Sequence, residues 1–582
     1  MGKPGLALAC VSGVVALGAF DRIAAQEMGS VLGEQEIAFA TGGFGGTLDA
    51  DDHFGHAVTG IGDLDGDGVL DLAVGAPDDD DGGNNRGAVW ILFLERTGQV
   101  RAQAKISSTQ GGLPAPLRNG DRFGAALASL GDLDGDGRAE LAVGVELDDD
   151  GGNNRGAVWI LSLQPNGLVG TGRKISHTSG FAVLRDNDRF GTALATLDDL
   201  DGDGRKELAV GASMDRDGGT ARGAVWVLFL DANFAVRTRA KISSTSGGFA
   251  GPLDNNDQFG SSVARVRDLD GDGVCELAVG ALLDDDGGTD SGAAYVLFLR
   301  ADATVRAQAK VSASSGLALS IFDHFGQSLA SPGDLDGDEV DDLVVGCALD
   351  DDGGLNCGAA WVLFLQSNGS LKSFLKLSAM GGGLREMPTA NDLFGSGLAA
   401  LGDLDGDRKL DLAVGVEGED AGRGACRVLF LESVVPTTLV VRNGLGVNPL
   451  ILSAEDDPML GAPWELTVDC TGFHRGVIMH LMVDRPFEGP VRGHQGQLLI
   501  DWRRPRSGFA FALVKHTGAV RHFTERIPAD PALLGLQFFS QAFVTGRGGS
   551  HFTNALDGEF QPNPDPQALK PKRGGRNGKP RH

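Results

Sequence analysis

Carboxylates alternating with glycines on one short loop are the residues of this chain best suited to do chemistry. The phrase Asp63-Leu-Asp65-Gly-Asp67-Gly-Val69-Leu-Asp71 sets four of them at positions 1, 3, 5 and 9. Hard oxygens in that number suit calcium, which takes six to eight at about 2.3–2.6 Å in flexible geometry. The backbone carbonyl of position 7, here Val69, can join them. The glycines reach positive φ without a Cβ clash and let the chain curl around an ion. Without a cation, four carboxylates this close repel one another. A solvated Asp-Gly turn uses the same residue types, so a single copy leaves the two readings level.

Repetition separates them. The phrase restarts at Asp132, Asp199, Asp268, Asp334 and Asp403, at steps of 69, 67, 69, 66 and 69 residues. The second to fourth copies offer Asp132, Asp134, Asp136 and Glu140 with the Arg138 carbonyl, Asp199, Asp201, Asp203 and Glu207 with that of Arg205, and Asp268, Asp270, Asp272 and Glu276 with that of Val274. The fifth offers Asp334, Asp336, Asp338 and Asp342 with the Val340 carbonyl, but Glu339 replaces its second glycine. The sixth offers Asp403, Asp405, Asp407 and Asp411 with the Lys409 carbonyl, and Arg408 stands in the glycine's place. A side chain there strains the turn, and Arg408 adds positive charge. The expectation is up to six Ca²⁺ ions, the last two held more weakly. The flanking helices and position-12 glutamate of an EF-hand are missing from every copy.

The elements that must position these loops are strands. Asp-x-Phe-Gly precedes each loop, at Phe54-Gly55, Phe123-Gly124, Phe190-Gly191, Phe259-Gly260, Phe325-Gly326 and Phe394-Gly395. A short apolar run follows each loop, then an Asp/Gly turn, a second run such as Val89-Trp-Ile-Leu-Phe-Leu94, and a closing run such as Ala104-Lys-Ile-Ser-Ser108. That is four short strands per repeat. The second run is apolar at every position, as a strand covered on both faces requires. A period near 68 residues suits a four-stranded blade stacked around an axis.

Phe-Gly and Gly75-Ala76-Pro77 with the calcium phrase between them resemble the FG-GAP repeat of integrin α-subunit propellers and related secreted proteins. Later copies keep Phe-Gly and relax the second element to Gly144-Val-Glu, Gly211-Ala-Ser, Gly280-Ala-Leu, Gly346-Cys-Ala and Gly415-Val-Glu. The resemblance covers residues 34–433. It implies an all-β propeller whose calcium loops share one face and whose ligand, an extracellular protein or glycan, binds on the other.

The ends of the repeat show how the ring closes. The sixth copy has no clear fourth strand after Leu431, while Glu36-Ile-Ala-Phe-Ala-Thr-Gly-Gly-Phe44 aligns with Ala240-Lys-Ile-Ser-Ser-Thr-Ser-Gly-Gly-Phe249. The N-terminal segment is therefore expected to supply the missing outer strand and cover an open edge. This predicts six blades, against seven in integrins; a degenerate seventh would need about 60 residues that are not there.

Four regions are expected: a signal peptide at 1–25, the propeller at 34–436, a small β-sandwich at 437–562 and a basic disordered tail at 563–582. Lys3, the apolar stretch Leu6–Phe20 and Ile23-Ala24-Ala25 read as an export signal, and no later segment could span a bilayer as a helix. The alternating runs beyond Pro436 resemble C-terminal modules of large secreted bacterial repeat proteins. The net charge is −29, and six bound Ca²⁺ would contribute twelve positive charges and leave −17. Nucleic acid is excluded as a partner by that sign.

Two further features carry open alternatives. Cys347 and Cys357 flank the strand 2–3 connection of the fifth repeat, and a disulfide there is the expectation in an oxidising compartment. The same connections hold acidic triads, Asp79-Asp80-Asp81, Asp148-Asp149-Asp150, Asp215-Arg-Asp217, Asp284-Asp285-Asp286 and Asp350-Asp351-Asp352. They read as solvated turns or as a second cation or basic-ligand site.

No catalytic constellation stands out among the scattered histidines, and there is no nucleophile elbow or phosphate loop. The function expected is a secreted, calcium-stabilised binding or adhesion protein. The alternative is an enzyme acting on polysaccharide or phospholipid.

Overall fold

The structure is a computed structural model that describes residues 28–433 and, beyond them, the backbone of strands between Val440 and Glu559. The chain divides into two compact units, Met1–Val434 and Val435–His582.

In the first unit every repeat folds as one four-stranded antiparallel sheet. The first blade is Ala57–Gly62, Asp71–Ala76, Ala88–Leu94 and Val100–Ile106. The next four begin at Phe123, Phe190, Phe259 and Leu329 and end at Ser176, Ser243, Val311 and Ser378. The sixth is Phe394–Gly402, Asp411–Val416 and Ala425–Leu431, completed by Val31–Ala38 from the other end of the sequence. That strand pairs with Ala425–Leu431 from Val31 opposite Leu431 to Ala38 opposite Ala425. The fold is a six-bladed β-propeller.

The third strand shows why its sequence is apolar throughout. All seven residues of Ala88–Leu94 are buried. Successive side chains of a strand point to opposite faces. Trp90, Leu92 and Leu94 pack with Cys426 and Val428 of the sixth blade, while Val89, Ile91 and Phe93 pack with Leu141, Val143 and Trp159 of the second. One strand thus feeds two inter-blade cores.

Phe-Gly and the Gly of Gly-Ala-Pro are the seam. At the seam closing the ring, the Phe54 amide donates to the Arg423 carbonyl at 3.0 Å, as Phe123 does to Arg86 at 2.9 Å and Phe394 to Cys357 at 3.0 Å. The six phenylalanines are fully buried. Gly55 sits at φ +97°, and a Cβ on Gly415 opposite it would lie 1.9 Å from the Gly55 carbonyl oxygen. Only paired glycines let neighbouring blades approach this closely.

The expected Cys347–Cys357 disulfide is not formed. Cys347 ends strand 2 and pairs with Ala359, so Cys357 lies two residues beyond the ladder, with Gly358 turning the chain between at φ +83°. Both are buried thiols, and Cys347 Sγ donates to the Asp323 carbonyl at 3.3 Å.

In the second unit the described strands form antiparallel sheets, one of them ordered with Gly476–Val483 between Gln537–Gly546 and Phe511–His516. The signal peptide at 1–25 and the basic tail at 563–582 lie outside the described residues.

Candidate metal centres and the opposite rim

Each acidic loop joins strands 1 and 2 of its blade, so all six sit at one end of the ring. Position 1 organises the turn: Asp63 accepts from the amides of Gly66, Asp67 and Gly68 at 2.8, 3.0 and 2.9 Å. Asp199, Asp268 and Asp334 do the same in their loops. Position 9 opens strand 2, or in the third blade directly precedes it, and is at most 1 % exposed in every blade. It accepts from the position-2 leucine amide, as Glu207 does from Leu200 at 2.6 Å and Asp411 from Leu404 at 2.8 Å.

Burial pushes these position-9 carboxyls up, and the neighbouring carboxylates add to it: Asp71 to about 6, Glu207, Asp342 and Asp411 to about 7, Glu276 to about 8. Glu140 is raised by the same causes. Ligand oxygens of Asp199, Asp201, Asp203 and Glu207 lie within 4.8 Å of one another, as do those of Asp268, Asp270, Asp272 and Glu276. Asp63, Asp65 and Asp71 meet in the first loop, and Asp132, Asp134 and Asp136 in the second. In the last two loops Glu339 and Arg408 adopt left-handed φ of +68° and +71°, a strain of about 1 kcal/mol or more for a residue with a Cβ.

These residues fit a hard dication. The second carboxylate oxygens of Glu140, Glu207 and Glu276, and one each of Asp65 and Asp336, are buried with no hydrogen-bond partner. An orphaned anionic oxygen is costly unless a cation meets it. Bound calcium would supply positive charge to the four carboxylates and the position-7 carbonyl.

Sequence reasoning missed a basic side chain that reaches the same loops. In four blades the second residue of strand 4, or its equivalent, bridges positions 3 and 5. Arg101 is 2.6 and 2.7 Å from Asp65 and Asp67, and Lys372 2.7 and 2.6 Å from Asp336 and Asp338. Arg237 and Arg306 repeat it at 2.5 to 2.8 Å. In the first blade Arg101 takes Oδ2 of Asp65, leaving Oδ1 as the orphan. The second blade has Gly170 at this place, and Arg138 lies 3.9 Å from Asp136.

Four residues further along strand 4, on the same face, a lysine settles the acidic triads. Lys105 is 2.7 Å from Asp79 and 2.9 Å from Asp81. Lys241, Lys310 and Lys376 bridge the matching pairs at 2.6 to 3.2 Å, and Lys174 holds Asp148 and Asp150. The ammonium also lies over the strand-3 aromatic, 5.1 Å from Trp90 and 5.0 Å from Trp361. Each triad is therefore a turn pinned by one lysine through its outer carboxylates, with the middle residue, such as Asp80, exposed. The signal was in the sequence as Val100-Arg-Ala-Gln-Ala-Lys105 and Val305-Arg-Ala-Gln-Ala-Lys310. The sixth blade swaps the charges: Arg427 replaces the aromatic and Glu36 the lysine, 3.5 Å apart, with Glu419 3.3 Å from the same guanidinium.

Comparison with known proteins agrees with this architecture. The FG-GAP repeat family matches residues 54–92, 123–161, 190–228 and 394–428, and a second FG-GAP repeat family matches 251–298. Integrin alpha-IIb of Homo sapiens is 30 % identical over 46 % of this chain and 23 % of its own length. Integrin alpha-5 of Xenopus laevis is 32 % identical over 28 % of this chain and 15 % of its own. Integrin alpha-11 of Homo sapiens is 36 % identical over 28 % and 13 %. The matched stretches thus span less than a quarter of these relatives.

Proposed function

The chain is an FG-GAP repeat β-propeller with distant similarity to integrin α subunits, and from this we propose that it is a secreted, calcium-binding protein that holds an extracellular protein or glycan. The observation that carries the reading is the asymmetry of the ring. One end presents loops with orphaned carboxylate oxygens converging on cation sites. The other presents lysine-pinned turns around an axial opening. The ions clamp strands 1 and 2 of each blade away from the ligand face.

The clamp is large in energy. At a site affinity of about 0.1 mM and calcium near 1 mM, each ion contributes roughly 1.4 kcal/mol. Six independent sites give about 8 kcal/mol, comparable with a whole domain's stability. Residues 437–562 are proposed as a separate β-sandwich module and 1–25 as an export signal. Among the described residues no helix is long and apolar enough to cross a membrane.

Binding is favoured over polysaccharide or phospholipid hydrolysis by the state of the carboxylates at the axial mouth. Glu417 pairs with His56, and Glu146 takes Arg122 at 2.7 Å. Neither is a free acid–base partner. The test is retention of the full chain on immobilised matrix proteins and glycans, in calcium and in EDTA. Calcium-dependent retention of an intact ligand supports the proposal; a ligand shortened during incubation moves the function to an enzyme.

A further inference from the structure

Six aliphatic side chains, one from each first strand, ring the propeller axis partway along: Val58, Leu127, Leu194, Val263, Leu329 and Leu398. They line both a cavity of about 380 Å³ toward the strand 2–3 loops and a smaller one of about 220 Å³ toward the calcium loops. The larger cavity is thus a pit with an aliphatic ring at its inner end. Its size lies within the range of small-molecule sites.

The walls of the pit are of two kinds. From the sixth blade to the second, the charged groups engage one another. His56 pairs with Glu417, and Arg122 bridges Asp78 and Glu146 at 2.9 and 2.7 Å. His53 also meets Asp78, at 2.8 Å. Arg189 is more loosely held, 3.9 Å from Glu146 and 40 % exposed. From the third blade to the fifth, past Arg189, the lining is hydroxyl, amide and aliphatic apart from His324, whose imidazole burial pushes down towards the neutral form. There the Ser261 hydroxyl and Gln327 Oε1 are buried without a hydrogen-bond partner, and the Ser261 residue is 8 % exposed. Such groups cost stability unless something meets them.

We propose that this pit binds an uncharged, hydroxyl-rich ligand end, of the class of a neutral sugar residue; the proposal rests on the reading of the ring as a binding protein. The C–H face of the ligand packs on that aliphatic ring. Its hydroxyls meet Ser261, Gln327 and the loosely held Arg189. An anion is disfavoured by the two carboxylates of the lining, Glu146 and Glu417. A cation finds those carboxylates already bonded to arginine and histidine.

The test uses the full chain in calcium-containing buffer, with saturation-transfer NMR against glucose, galactose, mannose, N-acetylglucosamine and lactose. Glucuronate and methylammonium serve as charged comparators. Two variants probe the site. Ala125→Trp fills the pit at a ring position that already carries His56 in the first blade and Gln327 in the fifth. Gln327→Leu removes an orphaned acceptor, and melting temperature reports folding of both. Should Ala125→Trp fail to fold, Ala125→Gln replaces it. The expected result is binding of at least one neutral saccharide, weakened by roughly tenfold or more, about 1.4 kcal/mol, in both folded variants. Signal from the charged comparators alone, from no saccharide, or unchanged in both variants overturns it. If the saccharides fail while the chain is still retained on matrix proteins in calcium, the pit assignment falls and the binding reading stands; if both fail, both fall.

Discussion

The two ends of the ring are both acidic, yet they solve the problem of crowded carboxylates differently. At the triad end, Asp79 and Asp81 meet a lysine tethered to the same blade, itself only 8 % exposed and laid over Trp90. At the loop end, the buried position-9 glutamates of three blades and position 3 of two others keep orphaned oxygens, and the tethered arginine or lysine bonds only the outer oxygens of positions 3 and 5. One end carries its counter-charge in the sequence. The other leaves a place for an ion. Local acidity in a sequence therefore says little about metal until the register of nearby basic residues is known.

Removing calcium should break the symmetry most. EDTA is expected to lower the melting temperature by more than about 10 °C, the counterpart of about 8 kcal/mol in a ring this large. Differential scanning calorimetry with and without calcium measures it; an unchanged midpoint would show that the loops are merely solvated turns. Lys105→Met should come next, at about 3 kcal/mol, because it leaves buried Asp79 without its partner. Its cost should be the same in calcium and EDTA if the lysine is the triad's counter-ion, and a cost that differs between the two would point to a cation at this end.

The pH dependence sharpens the contrast. The position-9 carboxyls of the folded apo protein titrate near 6 to 8, above the value of about 4 in an unfolded chain. Between those values the folded state binds more protons, so apo stability falls as pH rises. Thermal melts in EDTA should drop by several degrees from pH 5 to pH 8. In calcium the slope should flatten, as the ion takes the place of the proton. It should not vanish, because Asp52, Asp121, Asp188, Asp257 and Asp323 are also raised to about 6 by burial and lie outside the loops.

Smaller effects separate the blades. Glu207→Gln should remove one ion and about 1.4 kcal/mol, seen only in calcium, with isothermal titration counting one site fewer. Gly170→Arg should give the second blade the bridge that four others have. A gain below about 1 kcal/mol is expected in EDTA, as for an exposed ion pair, read from urea midpoints.

Much of this was legible from residues alone. The spacing of Phe-Gly, loop and apolar runs fixed the blade, and the likeness of Glu36–Phe44 to Ala240–Phe249 placed the closing strand. The candidate ligands followed from position within the loop. Arg101 and Lys105 were harder, because a strand residue's reach depends on which face it takes and which loop lies above or below. The Cys347–Cys357 pairing failed for a related reason: two residues at loop ends are not opposite one another unless the register makes them so. The neutral arc of the axial pit is built from residues about 67 apart in sequence, each an ordinary serine or glutamine by itself.

The closing strand carries a consequence for how the ring is made. Val31–Ala38 finds its partner only when Ala425–Leu431 exists, so the propeller's first strand waits for almost its last. Pairing so distant in sequence is slow to search, and until it occurs the sixth blade shows an unpaired edge. The charge-swapped contact of Glu36 with Arg427 gives that late arrival an address that no other blade offers: the others set a lysine opposite an aromatic residue there. A repeat protein with nearly identical edges thus distinguishes its own terminus from its own interior.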